Sequence, residues 1–366
     1  MRAGAEAEAA MLEGAACLVP GAGSARPLAE IPTAVGPEGA AVDAAGRRAY
    51  VTALRGHAVT IVDLDALVPV GHVPVGREPT DIAFDERSGR AFTADSRSDT
   101  VSVIDAATGR LERQVAVPAY PSGIALDAER RRLYCGCAAA AVVGVVDVDT
   151  LEVVGTLPGE LGCGAIAVDR LGGRVFSSTF MTGTVTAVDA GSGEPVATVA
   201  VGSAPCAMDV SELTGELYVA NSLSDSVTRI DLATCSVAGT IPAGRGPVGL
   251  HVSPDGTRLY VGNRGEGSVS VIDTVRAAEL SRVAVGEAPA GCVIDRASGR
   301  LLVSNAGSDT LTVLDPAAAQ AAQAAPHPLV GRRLPEFALP ELRGGRVRTS
   351  REWAGRLYIL NFFASW

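Results

Sequence analysis

Three columns of residues recur in step along the chain, and together they predict an all-β fold, a seven-bladed β-propeller of four-stranded antiparallel blades. The phrase VTIVD ending at Asp63 returns as VSVID at Asp105, VGVVD at Asp147, VTAVD at Asp189, VTRID at Asp231, VSVID at Asp273 and LTVLD at Asp315, always 42 residues on. A second column is Tyr50, Phe92, Tyr134, Phe176, Tyr218, Tyr260 and Leu302; a third is Pro37, Pro79, Pro121, Pro205, Pro247 and Pro289, with Cys163 in the fourth place. Four short strands in a period of about 40 to 45 residues is the pattern of a propeller blade.

Within a copy the elements follow in a fixed order. In the sixth, Val248 to Ser253 reads as a first strand, Pro254-Asp255-Gly256 as a turn, Arg258 to Asn263 as a second strand and Arg264 to Gly267 as a loop. Ser268 to Asp273 and Ala278 to Val283 complete the copy. Alternation with period two, broken by Gly, Pro and Asp, marks strands and turns. The composition agrees: 47% apolar but 4% aromatic, with 42 glycines and 21 prolines, suits many short strands better than long helices.

The two ends predict how the ring closes. The seventh copy runs through LTVLDP (Leu311 to Pro316) into AAAQAAQAAPHP, so it lacks a fourth strand. Ahead of the first copy, Arg26 to Ile31 (RPLAEI) stands in fourth-strand register, with Ile31 one period before Val73. The propeller is therefore expected over 26–316, its N-terminal strand forming the outer strand of the last blade. Such an exchange pairs backbone groups that an open ring would leave unsatisfied on exposed edges.

Charge and residue usage exclude several functions. A net charge of -10 without a basic stripe disfavours nucleic acid as a partner. All 31 basic residues are arginine, so Schiff-base and phosphate-loop lysines are absent. No apolar run reaches about 18 residues, and no transmembrane segment is expected. Residues 1–25, rich in Ala and Gly with Glu6, Glu8 and Glu13, lack the basic start and unbroken apolar stretch of a secretory signal and read as a disordered lead.

LYVAN (Leu217 to Asn221), LYVGN (Leu259 to Asn263) and LLVSN (Leu301 to Asn305), each followed by a polar loop and a V-x-V-I-D-like strand, resemble the YVTN-type (YncE-like) β-propeller repeat. The resemblance spans 26 to about 316 and implies the fold; that family includes binding scaffolds, surface proteins and relatives of lactonases, so it does not imply one activity. After an Ala/Gln/Pro linker at 317–328, residues 329–366 resemble the start of a TlpA-like redoxin domain of thioredoxin fold. The matching features are Leu334-Pro335-Glu336-Phe337, a hairpin turn at Gly344-Gly345, and LYILNFFASW (Leu357 to Trp366) as a central strand covered on both faces. The resemblance implies a Cys-x-x-Cys just after Trp366, so no catalytic residue is expected within the chain, and an extracytoplasmic setting in the periplasm or cell envelope. The alternative is a strand-turn-strand tail without redox meaning.

Candidate site residues come from departures within columns. His251 and Asp209 share a column in which blades one to four carry Ala41, Ala83, Ala125 and Ala167, which points to polar groups near the propeller axis or to a hydrogen bond between blades. Cys163 and Cys206 open the innermost strands of adjacent blades and are the best pair for proximity; buried free thiols are the plainer reading of the cysteines, Cys135 and Cys137 included. Asn221, Asn263 and Asn305 belong on the loop-rich face, as ligand contacts or loop caps. The seven repeated aspartates are expected to hold turns rather than calcium. Four histidines without a common face disfavour a metal, and no cofactor is called for. His57, His72 and His327 read as surface residues.

Three functions remain open: a ligand- or protein-binding propeller coupled to a thiol-disulfide oxidoreductase, a lactonase-like hydrolase using His251 and Asp209 in the channel, or a non-catalytic surface scaffold. The partner is expected on the loop face, and the chain is expected to be a monomer.

Overall fold

The computed structural model describes residues 27–316, 338–340 and 347–349. Within 27–316 the strands group into seven four-stranded antiparallel sheets, each following chain order except the last. In that blade, strand Ala29–Pro32 forms the outer edge beside Thr310–Leu314. Ala29 lies opposite Val313 and Ile31 opposite Leu311, the register that Val73 takes opposite Val59 one period later. The N-terminal strand thus closes the ring as its position in the repeat demands.

Why these residues form blades is visible in their burial. The second and third strands of each blade are apolar on both faces because each sheet is covered by a neighbour on either side. Tyr50, Phe92, Tyr134, Phe176 and Tyr218 are all fully buried in the second strand. The hydrophobic core is correspondingly divided among the blade junctions. One cluster, for example, joins Tyr50 and Ile61 of the first blade to Ile82 and Ile104 of the second, and another joins Leu302 and Leu311 of the last blade to Val51 and Val62 of the first. Ile31 sits in that closing cluster, 1% exposed.

The repeated aspartates hold the turns after the third strands. Asp63 Oδ1 accepts the backbone N–H groups of Asp65 and Ala66 at 2.9 and 2.7 Å, and Asp105, Asp147 and Asp189 repeat the arrangement. These backbone bonds lower the Asp63 carboxyl from its ordinary value.

The chain divides into two compact units, Met1–Gln323 and Ala324–Trp366. In the second, Ala338–Pro340 pairs antiparallel with Val347–Thr349. The Leu334 to Phe337 entry, the Gly344-Gly345 turn and the LYILNFFASW strand lie outside the described residues, as do Cys17 and His327.

Candidate functional site: the axial cavity

Every innermost strand carries a register shift two or three residues from its start, between Pro37 and Ala40 in the first blade and at the matching place in the others. Proline has no N–H to lose at a strand start, and the bulge that follows leaves backbone groups without ladder partners. Side-chain hydroxyls and a thiol take their place. Thr80 Oγ1 donates to Ser122 O at 2.6 Å, Ser122 Oγ reaches Cys163 O at 3.2 Å, and the Cys206 thiol donates to Pro247 O at 3.3 Å, each crossing to the next blade. Blades one, four and seven satisfy the same region from the second strand: Gly39 N–H donates to Thr52 Oγ1, Ala165 N–H to Ser178 Oγ and Gly291 N–H to Ser304 Oγ. Ser304 Oγ in turn donates to Glu38 O, which ties the last blade to the first.

These bulged strands enclose a cavity of about 450 Å³ on the axis, with wall residues from all seven blades. Much of the wall is Gly, Ala and aliphatic side chain, with Ile124, Ile166, Met208 and Leu250 among the larger groups. The wall also carries Glu38, Asp81, Asp209, His251 and Arg264. Glu38 and Arg264 pair at 3.2 Å, joining the first blade to the sixth, and Phe180, half exposed, lines the cavity from the loop after the second strand of blade four.

Asp81 and Asp209 solve the same backbone problem on different blades. Strands at an inner edge present unpaired N–H groups. Asp81 accepts from its neighbour Ile82 at 2.8 Å and from Ile124 of the next blade at 2.9 Å. Asp209 accepts from Val210 and from Val252 of the next blade, both at 2.9 Å. His251 Nδ1 lies 3.3 Å from Asp209 Oδ2, with both side chains half-buried. Asp81 is reached by water from the cavity yet walled by protein, and this desolvation pushes its carboxyl up to about 6 against the two backbone bonds that pull it down.

The structure brings His251 and Asp209 together across blades five and six and places Cys206 in the cavity wall. It does not bring together Cys163 and Cys206, which the sequence offers as a pair for proximity. Successive residues of a strand face opposite sides; Cys163, in the proline column, donates back to Val142 O of the preceding blade at 3.4 Å, whereas Cys206, one column on, faces the following blade. All six described cysteines are free. Asn221, Asn263 and Asn305 are fully buried clamps away from the cavity lining: each Nδ2 donates to hydroxyls five and seven residues on, for Asn221 those of Ser226 and Thr228. Asp81 was recoverable from the same column argument, since its column otherwise holds Gly39, Gly123, Ala165, Ala207, Gly249 and Gly291. His57 is exposed, yet its Nδ1 accepts the Glu78 N–H at 3.1 Å.

Among the described residues no hydroxyl or thiol is hydrogen-bonded to His251, so no nucleophile is joined to that pair. Burial pushes the Cys206 and Cys292 thiols up to about 12, which keeps them protonated and weakly nucleophilic. No group of three His, Cys, Asp or Glu side chains among the described residues is placed to hold a metal ion.

Fold and site together define a seven-bladed β-propeller with a ligand-sized axial cavity. A family model described as a YNCE-like beta-propeller matches residues 211–300. The Kuenenia stuttgartiensis hydrazine synthase structure is similar in fold, with a TM-score of 0.70 and 21% identity over 77% of this chain and 96% of that one. No curated protein matches the sequence.

Proposed function

We propose that the propeller is a binding module that receives a small ligand in its axial cavity and presents it to a thiol-disulfide oxidoreductase domain beginning in the C-terminal segment. The cavity carries this reading: about 450 Å³, with aliphatic groups and charged side chains in one wall, it has the size of a small-molecule site. The redox half is supported by the redoxin-like motifs of 329–366 and is compatible with the antiparallel pair at 338–340 and 347–349. In this reading the attacking thiolate belongs to a Cys-x-x-Cys after Trp366, and the setting is the cell envelope. The propeller thiols, pushed upward by burial, are not the attacking group.

The binding half is tested by a thermal-shift screen of small molecules against the wild type and Ala207→Trp, whose indole would fill the cavity. Ligands that raise Tm in the wild type and not in the filled variant are expected; no compound separating the two would remove the reading. The redox half is tested by reading the gene past the Trp366 codon and assaying the longer product for disulfide reduction. A product without Cys-x-x-Cys there ends it.

A further inference from the structure

We infer that the axial cavity selects organic cations, an ammonium or amidinium group taking the place beside Asp81 that no side chain of the protein fills. This rests on the cavity being a ligand site. Three carboxylates, from Glu38, Asp81 and Asp209, stand in its wall. Glu38 is matched by Arg264 at 3.2 Å, and Asp209 has the His251 ring nitrogen 3.3 Å away. Asp81 accepts only two backbone N–H groups, and among the described residues no arginine or histidine pairs with it.

Backbone dipoles reduce the cost of an enclosed carboxylate without neutralising it, and enclosed charges are ordinarily paired. Burial pushes the Asp81 carboxyl up, and among the described residues no cationic side chain offsets it. A recessed site focuses the field of its charges, and here the lining carries three carboxylates against one arginine and one histidine in a chain of net charge -10. After accepting one N–H each, both Asp81 oxygens keep acceptor capacity, which a group able to donate hydrogen bonds can use. A metal ion fits less well: the three carboxylates belong to blades one, two and five, and the described residues hold no three-donor cluster. The aliphatic wall at Ile124, Ile166, Met208 and Leu250 suits an apolar body attached to the cation.

Asn keeps one acceptor oxygen, enough to cap Ile124 but not Ile82 as well, so Asp81→Asn removes the charge and one of the two backbone bonds. The experiment is calorimetric titration of the full chain at pH 7.5 with butylammonium, tetramethylammonium, butan-1-ol and butyrate. Butylammonium is expected to bind tightest, about tenfold over butan-1-ol, with tetramethylammonium between them and butyrate weakest. Asp81→Asn, shown to be folded by a single cooperative thermal transition, is expected to erase the preference for butylammonium over butan-1-ol. Lowering the pH from 7.5 to 5 should weaken butylammonium in the wild type as Asp81 takes a proton; Glu38 with Arg264, Asp209 with His251, Cys206 and Cys292 also line the cavity, and Cys135 from blade three faces Asp81. Should Asp81→Asn fail to fold, the wild-type comparison of the four probes still decides. Butan-1-ol or butyrate binding as tightly as butylammonium, or an unaltered preference in Asp81→Asn, overturns cation selection while leaving the cavity as a ligand site. No binding by any probe overturns both.

Discussion

Arg47 of the first blade and Asp295 of the last form an ion pair in which Nη1 lies 2.8 and 3.0 Å from the two carboxylate oxygens, across the junction where the ring closes. Arg131 and Asp85 make the corresponding contact between the third and second blades, where the chain is continuous, at 2.7 and 3.0 Å. Both arginines also reach an aspartate of their own blade, Asp65 and Asp149. The closure therefore uses the same chemistry as an ordinary blade junction.

Because Asp295 is 1% exposed, Arg47→Met leaves a buried carboxylate without its cation and is expected to cost about 3 kcal/mol in urea unfolding. Asp295→Asn in the Arg47→Met background should recover part of that loss, and the Arg131–Asp85 cycle should give a similar coupling. Burial raises the Asp295 carboxyl, but hydrogen bonds from Ser298 and Arg47 outweigh it and hold the group below its ordinary value. Its contribution is thus present above the unfolded-state value near 3.8 and fades as pH falls through the depressed one. Equal acid sensitivity in wild type and Arg47→Met would contradict this.

Ile31 fills the core between the last and first blades, and strand Ala29–Pro32 supplies the outer ladder of the last sheet. Ile31→Ala is expected to lower stability by about 2 to 4 kcal/mol through the cavity it leaves. Removing residues through 32 should cost more, because Thr310–Leu314 then becomes an exposed edge, and size-exclusion chromatography should show aggregation. A truncated chain with wild-type Tm would mean that the strand does not close the ring.

How far these features are legible in the sequence follows from the range of the interactions behind them. The closing strand is legible because the repeat fixes its register: Ile31 must stand where Val73 stands. His251 and Asp209 are legible because polar groups interrupt an alanine column. The ring of hydroxyls from Thr80, Ser122, Ser178 and Ser304 is not, because its partners are backbone atoms freed by a bulge, and a bulge leaves no mark in residue identity alone. The separation of Cys163 from Cys206 is hidden for a related reason, since a one-residue offset sends their side chains to different neighbouring blades.

Asp81 gives stability an unusual pH dependence. Its carboxyl stands at about 6 in the folded chain against an ordinary 3.8, so the folded state holds a proton that the unfolded state has released between those values. Stability from this group therefore falls as pH rises from 4 to 6 and stays reduced above it, by on the order of 1 to 3 kcal/mol. Asp81→Asn should remove this decline, read as the difference between wild-type and variant urea midpoints across pH 4 to 7. Parallel curves would show that the carboxylate is compensated by a partner.

Gly202 and Asn221 show how one column restricts another. A Cβ on Gly202 would lie 2.6 Å from Asn221 Cγ, and Gly244 and Gly286 face Asn263 and Asn305 in the same way, as Gly76 faces Asp95. Where the second column holds a different residue, the first is free: Ala34 accompanies Ala53, Pro118 accompanies Cys137 and Glu160 accompanies Thr179. The glycines are required by space, because Asn221 is fully buried and held by Ser226 and Thr228. Gly202→Ala alone should therefore destabilise by about 1 to 3 kcal/mol through overpacking. Asn221→Ala alone should cost about 1 to 2 kcal/mol in lost hydrogen bonds. The double variant, which copies the alanine pair of the first blade, should fall short of the sum by at least about 1 kcal/mol because the clash is gone. Strict additivity of the two changes would show that the glycine column is not set by its asparagine partners.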